Sequence, residues 1–276
     1  MTIATDIAQP HTRSAGESIR QPCIACGLER DHLLEPLQIP VEDPAYAKHL
    51  IARCIACGLN SAWPRPGDPE LRAAYARVRH EPIVKGTSPL GAAWRSYRDR
   101  SRVRLLERVA PRSLGGLVVD VGCGEGMFMR AVGKADWRLV GTDYSEVNVE
   151  GLVADGFDAR VGMLEDVGLE EGGVDVIWAS HVIEHMNDPV GFLQSVRRYL
   201  KPEGKLVAIL PSSTSLRART GTSTWHLVNP PGHLWGFSPG TFRALLERNG
   251  FVVERLRNSI PVCEMVCIAR PDRSSP

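Results

Sequence analysis

The stretch Leu117–Gly126 reads LVVDVGCGEG. A short apolar run ends on Asp120, and Gly122, Gly124 and Gly126 follow before a segment with helical spacing. Glycines this dense are needed where the backbone must take positive φ or let a ligand approach closely. The spacing is G-x-G-x-G. It differs from the G-x-G-x-x-G of dinucleotide-binding turns and from the G-x-x-x-x-G-K-[ST] of phosphate loops. A second apolar run, WRLVGTD, ends on Asp143, 23 residues after Asp120. A carboxylate at the tip of a second strand can accept hydrogen bonds from a ribose diol. Strand, acid, glycine turn, helix, strand and acid together predict a ligand that has a ribose and need not have a pyrophosphate.

The remainder of the chain repeats the alternation. VDVIWAS and GKLVAILP are two more short apolar runs, and helical patterns lie between the runs at Met127–Lys134, Glu146–Asp155 and Pro189–Leu200. Short buried strands alternating with helices predict βαβ units and a parallel sheet. SPGTFRALLERNG carries helix punctuation, with Ser238 as N-cap, Pro239 in the first turn and Gly250 as the stop. FVVERLRN and VCEMVCIAR then read as two further strands at the sheet edge, joined through Pro261. In SYRDRSRVRLLERVA, residues Val103, Leu106, Val109 and Ala110 follow helical spacing, which places the arginines on the other face.

Composition narrows the partners. The net charge of +1 gives no reason to expect nucleic acid, whose binders show a basic excess. No apolar run approaches the 18 residues of a membrane span. MTIATDIAQPHTRSAGESIRQP has no apolar export signal, so residues 1–21 read as a disordered leader and the expected location is the cytoplasm. The expected organisation continues with a metal-binding module over 22–66, a helical linker or lid over 67–112, and the α/β domain over 113–276.

The α/β region resembles the class I S-adenosylmethionine-dependent methyltransferases. The matching stretches, in the family's order, are VVDVGCGEGMF, GTDYS, MLEDV, VDVIWASHVIEHMNDP and LKPEGKLVAILP. The resemblance implies a Rossmann-like, seven-stranded, mostly parallel sheet with helices on both faces and an antiparallel last strand. It implies S-adenosylmethionine as cofactor. Asp120, Gly122, Cys123, Gly124 and Gly126 would approach its methionine moiety, and Asp143 with Tyr144 its ribose. Met163 and Leu164, with Glu165 and Asp166, would flank the adenine. Ser180 and His181 would reach the sulfonium end.

Methyl transfer to a hydroxyl or an acidic carbon needs an in-line nucleophile and a base. His181 and His185, beside Glu184, are candidates. STWHLVNPPGHLWGFSPGTF supplies His226 and His233 among Trp225, Trp235 and Phe237, a composition suited to a pocket that binds a ring and removes a proton, or to a packed covering loop. His233 is favoured over His226. The ASHV stretch lacks the Asn/Asp-Pro-Pro-Tyr-like motif of exocyclic-amine and glutamine methyltransferases. Arginines over 72–112 form either a solvated face or a phosphate clamp for a nucleotide-linked acceptor.

Cys23, Cys26, Cys54 and Cys57 lie in two copies of CIACGL, with 27 residues between Cys26 and Cys54. Two Cys-x2-Cys-Gly turns in a short Pro-rich stretch suit one tetrahedral, structural Zn2+ in a zinc-ribbon-like module. Cys123, Cys263 and Cys267 read as buried thiols. A zinc module ahead of this core resembles the sugar methyltransferases of natural-product and polysaccharide pathways. The expected acceptor is a small molecule, a hydroxyl on a sugar or natural product. Sugar C-methylation ranks below it, because the deoxysugar C-methyltransferases carry a further C-terminal domain. RNA methylation and a non-catalytic, partner-binding zinc protein also stay open.

Overall fold

The sheet grows outward from β5 (Leu117–Val121), whose last four residues are buried because helices cover both of its faces. The computed structural model of the chain describes residues 16–36, 49–67, 69, 71, 88–110, 115–133, 137–215, 232–259 and 263–274. On one side of β5 lie β6 (Arg138–Asp143) and β7 (Asp158–Val161). On the other lie β8 (Val174–Ser180) and β9 (Leu200–Pro211), and all of these pairings are parallel. β11 (Phe251–Ser259) and β12 (Glu264–Pro271) complete the order β7-β6-β5-β8-β9-β12-β11. β12 runs antiparallel to both neighbours. The last strand thus sits inside the sheet and β11 forms the edge. This seven-stranded, mostly parallel sheet is the α/β architecture expected from the sequence.

The helices after β5, β6 and β8 lie within about two residues of the expected spans, and the helix after Ser238 carries the expected N-cap. α1 (Pro89–Val109) is capped by Ser88, and α2 (Met127–Val132) stops at Gly133. α3 (Glu146–Ala154) is capped by Ser145, and α4 (Pro189–Tyr199) by Asp188. α5 (Pro239–Arg248) carries a capping box formed by Ser238 and Thr241. Val118, Val176, Trp178 and Val207 pack with Leu106 of α1 and Phe128 of α2. Val119, Val121, Ile177 and Ala179 pack with Leu193 of α4 and Leu245 of α5. The β strands alternate faces with period two, so consecutive residues serve opposite layers. One expectation for α1 is corrected. Arg102 is 8% exposed and lies on the same side as Leu106 and Ala110, so the arginines do not all face solvent.

The N-terminal strands form a separate antiparallel sheet. β1 (Ser18–Pro22), β2 (Glu29–Pro36), β3 (Leu50–Cys54) and β4 (Asn60–Trp63) pair in order. A two-residue strand from the other end of the chain, β10 (Trp235–Gly236), adds a fifth beside β4. One correction follows. The first strand begins at Ser18, inside the expected leader, because alternating Ile19 packs against Leu34 and Ala52. Those three buried side chains also give the module a small core of its own, with Leu50 and Trp63 against it. Residues 1–15, and residues 72–87 of the expected helical linker or lid, lie outside the described residues.

Candidate functional site

The parallel strands end at the reversal of strand order between β6, β5 and β8, the place where open α/β sheets open a crevice for ligands. Gly122, Gly124 and Gly126 all take positive φ, at 63°, 53° and 75°. A Cβ on Gly122 would sit 2.8 Å from Val182, and one on Gly126 would sit 2.2 Å from Leu152. At Gly124 nothing lies within 4 Å, so this backbone faces open space. Asp143, at the tip of β6, ties the loop in place. One carboxylate oxygen accepts from the Gly124 N–H at 2.8 Å, and the other accepts from the Ser145 N–H at 2.8 Å. Each oxygen keeps a further lone pair.

Around this loop the expected site residues divide. Asp120 is buried, and burial pushes its carboxyl up to about 8, with Asp143 adding to the rise and Arg102 opposing it. Cys123 is buried, and burial raises its thiol well above the usual range. Tyr144 is exposed. Met163 is half-buried, with its N–H on Asp166 Oδ2 at 3.0 Å. Leu164 is fully buried in the core, so only its backbone can meet a ligand. Of the other cysteines, Cys267 is buried and Cys263 is only half-buried.

After β8 the chain makes a strained turn. His181 has φ 57°, an uncommon value for a residue with a side chain. Its Nδ1 lies 3.2 Å from Glu184 Oε1 and its Nε2 lies 3.0 Å from Glu264 Oε1. Burial opposes a charge on this ring, but the hydrogen bonds and charges of both carboxylates outweigh it and raise the pKa to about 9. At neutral pH the ring is an imidazolium with both N–H groups engaged. It has no lone pair with which to take a proton. Arg102 stands beside it, donating from Nη2 to Ser180 Oγ at 3.3 Å. Burial, then the neighbouring Arg98, lowers the Arg102 pKa. Neither Arg102 nor Glu264 is marked by local sequence pattern, because their partners lie 78 and 83 residues away.

His185 sits on a short 3-10 turn (Ile183–His185) above the same glutamate. Its Nδ1 lies 3.0 Å from the Gly232 carbonyl, which fixes Nδ1 as the donor. Burial lowers its pKa to about 4, so this ring is neutral. His233 comes from the segment after β9 and meets His185 edge-on, with ring centroids 4.7 Å apart. Glu184 is 1% exposed, and its Oε2 has no hydrogen-bond partner among the described residues. Glu184, His185 and His233 bring one carboxylate and two imidazoles within 4.8 Å of one another, a donor set that could also hold a divalent cation. Trp225 and His226 lie outside the described residues. A cavity of about 600 Å³ lined by Arg95, Asp99, Arg104, Glu107 and Ala131 contains none of these residues.

The two CIACGL copies fold alike. In each, the glycine N–H donates to the first cysteine's carbonyl at 2.8 Å, with φ 71° at Gly27 and 76° at Gly58. The knuckles face one another, with Cys23 Sγ 3.5 Å from Cys57 Sγ and Cys26 Sγ 3.9 Å from Cys54 Sγ. All four sulfurs lie within 4.8 Å. A tetrahedral centre with Zn–S bonds of about 2.3 Å sets its sulfurs roughly 3.8 Å apart, so the donor set fits. Burial raises the Cys23 thiol to about 11 and pushes Cys57 higher still, whereas at Cys54 burial is outweighed by hydrogen bonds from the Cys57 and Ala56 backbone, which lower its thiol.

A glycine-lined crevice at a strand-order reversal, with an acid at the second strand tip, defines an α/β enzyme of the Rossmann-like class. Residues 94–256 match the family model described as a methyltransferase domain. The chain belongs to that family and is an S-adenosylmethionine-dependent methyltransferase. It is 30% identical over 190 residues to a protein of Mycolicibacterium smegmatis named a probable S-adenosylmethionine-dependent methyltransferase, covering 68% of this chain and 70% of that one. It is 30% identical over 157 residues to the mitochondrial ubiquinone biosynthesis O-methyltransferase of Homo sapiens, covering 51% of this chain and 42% of that one. The chain therefore spans less than half of the human protein's length. A solved S-adenosylmethionine-dependent methyltransferase from Thermotoga maritima has the same fold, with TM-score 0.50, 18% identity, and coverage of 64% and 92% of the two chains. Among the described residues no helix is long and apolar enough to cross a membrane.

Proposed function

We propose that the chain methylates a hydroxyl of a small molecule, a sugar or natural-product intermediate, with His233 as the general base. The observation that carries this is the His185–His233 pair above the buried Glu184, at the carboxyl ends of the strands. His181 is an imidazolium held by two carboxylates and leaves the list of bases. His185 is neutral, and its Nδ1 proton is held by Gly232. In this reading His233, on the segment that follows β9, accepts the acceptor's proton while the new oxygen–carbon bond forms. The cofactor supplies a methyl group already activated on a sulfonium, so positioning supplies much of the rate. The relative from Homo sapiens, named for O-methylation, supports oxygen as the atom methylated.

In this reading the Gly122–Gly126 loop lies against the methionine moiety and Asp143 holds the ribose hydroxyls. Asp120, Cys123 and Tyr144 lie beside that ligand, Met163 and the Leu164 backbone flank the adenine, and Ser180 with His181 borders the sulfonium end. Arg98 and Arg102 add positive charge near the crevice and suit an acceptor that carries phosphate, as a nucleotide-linked sugar does. Cys23, Cys26, Cys54 and Cys57 hold a structural Zn2+ that fixes the ribbon. Candidate sugar and natural-product intermediates are incubated with methyl-labelled cofactor, and the label is located by mass spectrometry. His233→Gln is expected to lower kcat about 100-fold, the size of a general-base contribution, with cofactor affinity unchanged. Label on nitrogen or carbon in the preferred acceptor, or an unchanged kcat in the variant, would overturn the reading.

A further inference from the structure

The segment that carries His233 is clamped by two bodies at once. From the ribbon, Ala62 N–H donates to the Leu234 carbonyl at 2.8 Å, and β4 pairs Ser61 with Trp235 and Asn60 with Gly236. From the methyltransferase core, the Glu184 carbonyl accepts from Leu234 N–H at 2.7 Å. The Met186 carbonyl accepts from Trp235 Nε1–H at 2.7 Å, and Ser213 N–H donates to the Phe237 carbonyl at 2.8 Å. Leu234, Trp235 and Phe237 are all buried. These bonds are made by residues 234–237, immediately after His233, and two of them end on Glu184 and Met186, in and just after the 3-10 turn that presents Glu184 and His185.

We propose that Trp235 is a positioning residue: the cysteine ribbon grips it through β4, and it sets His233 against His185. The route is short. Cys54 N–H donates to the Leu59 carbonyl at 2.9 Å, which closes the second knuckle, and Asn60 opens β4 at the next residue. β4 then takes β10 as its outer neighbour. The indole fixes the other end, because its Nε1–H reaches the backbone of the turn bearing His185 while its ring is buried with Cys23, Cys54 and Leu59 in one cluster. Arg65 covers the remaining face of the ring at 5.3 Å. A two-residue strand has too few bonds to hold a geometry alone, so its precision comes from being held on both sides. The ribbon is thereby a wall of the acceptor site as well as an appendage. This rests on His233 as the base and on the ribbon's metal.

The test uses the full chain and needs no acceptor. Trp235→Phe keeps an aromatic ring, smaller than the indole, and removes the Nε1–H. Nuclear Overhauser contacts between the His185 and His233 rings, assigned with His233→Gln, are followed by NMR in wild type and Trp235→Phe. The expected result is loss of the His185–His233 ring contact. Cofactor affinity stays close to wild type, while the melting temperature falls by the few degrees that a smaller buried ring costs. An unchanged ring contact, or a fall in cofactor affinity, overturns the proposal. A second arm removes metal with a chelator after metal analysis of the purified chain. Hydrogen exchange at the Ala62 and Gly236 amides, which face one another's strands across the joint, is expected to rise about tenfold or more, with cofactor binding retained. Unchanged exchange after metal loss overturns the ribbon's part. A chain purified without metal sinks the zinc reading alone, and the Trp235→Phe arm still decides the positioning role.

Discussion

Histidine and glutamate at neighbouring positions look interchangeable as catalytic groups until their partners are known. His181 and His185 are four residues apart, yet one is held charged and the other neutral. The difference lies in Glu264, which reaches His181 from β12. Because the folded His181 pKa lies near 9, above its ordinary 6.5, its contribution to stability is complete below about pH 6.5 and is lost as pH rises through about 9. Glu184 and Glu264 face this ring directly, and Arg102 lies beyond Glu264. Glu264→Gln is therefore expected to lower the melting temperature more at about pH 6 than at about pH 10. Thermal melts of both proteins across that range check it, and a pH-independent difference would show that His181 is not the charged partner. The sequence marks both histidines, but it cannot rank them. The deciding carboxylate is 83 residues away and comes from a strand that reads only as sheet edge.

Elements are more legible than their long-range contacts. The glycine loop, the strand tips and the Ser238 cap are all local chemistry, and they appear where the sequence puts them. Within the loop the three glycines serve different ends, and the structure separates them. Gly126→Ala would drive a Cβ to 2.2 Å from Leu152 in a fully buried cluster, in addition to the cost of φ 75°. That variant is expected to lose roughly 2–4 kcal/mol of stability. Gly124→Ala carries only the backbone cost of roughly 1–2 kcal/mol, since its Cβ meets open space. If that space receives the cofactor, Gly124→Ala weakens cofactor binding at least as much as Gly126→Ala while melting closer to wild type. Calorimetric titration beside thermal melts separates the two, and full affinity in Gly124→Ala would place the cofactor elsewhere. β10 had no such local sign. Trp235–Gly236 is too short for a period-two pattern, and its partner β4 lies some 170 residues earlier.

At the scale of the molecule, the ribbon and the methyltransferase domain share a core. A single cluster runs from Cys23, Ala25, Cys54 and Leu59 through Leu234 and Trp235 to Val119, Ile177 and Leu245. The sequence separates these regions by composition, because the ribbon's cysteines and prolines contrast with the alternating strands. It does not show that they are joined, because the joint is made by side chains that read as parts of a loop. Shared burial makes unfolding cooperative, so if the four cysteines hold Zn2+, as proposed above, its loss is felt by the whole chain. Structural zinc contributes on the order of 10–16 kcal/mol in small peptides, and 1 kcal/mol moves the melting point of a 150–250-residue domain by about 2–4 °C. Chelation, or Cys54→Ser, is therefore expected to lower the melting temperature by on the order of 10 °C or more in one transition. Differential scanning calorimetry reads the number of transitions directly. An early, separate ribbon transition with an unchanged main peak would mean that the two sheets touch without supporting one another, and the strap between them would then have to hold His233 from the methyltransferase side alone.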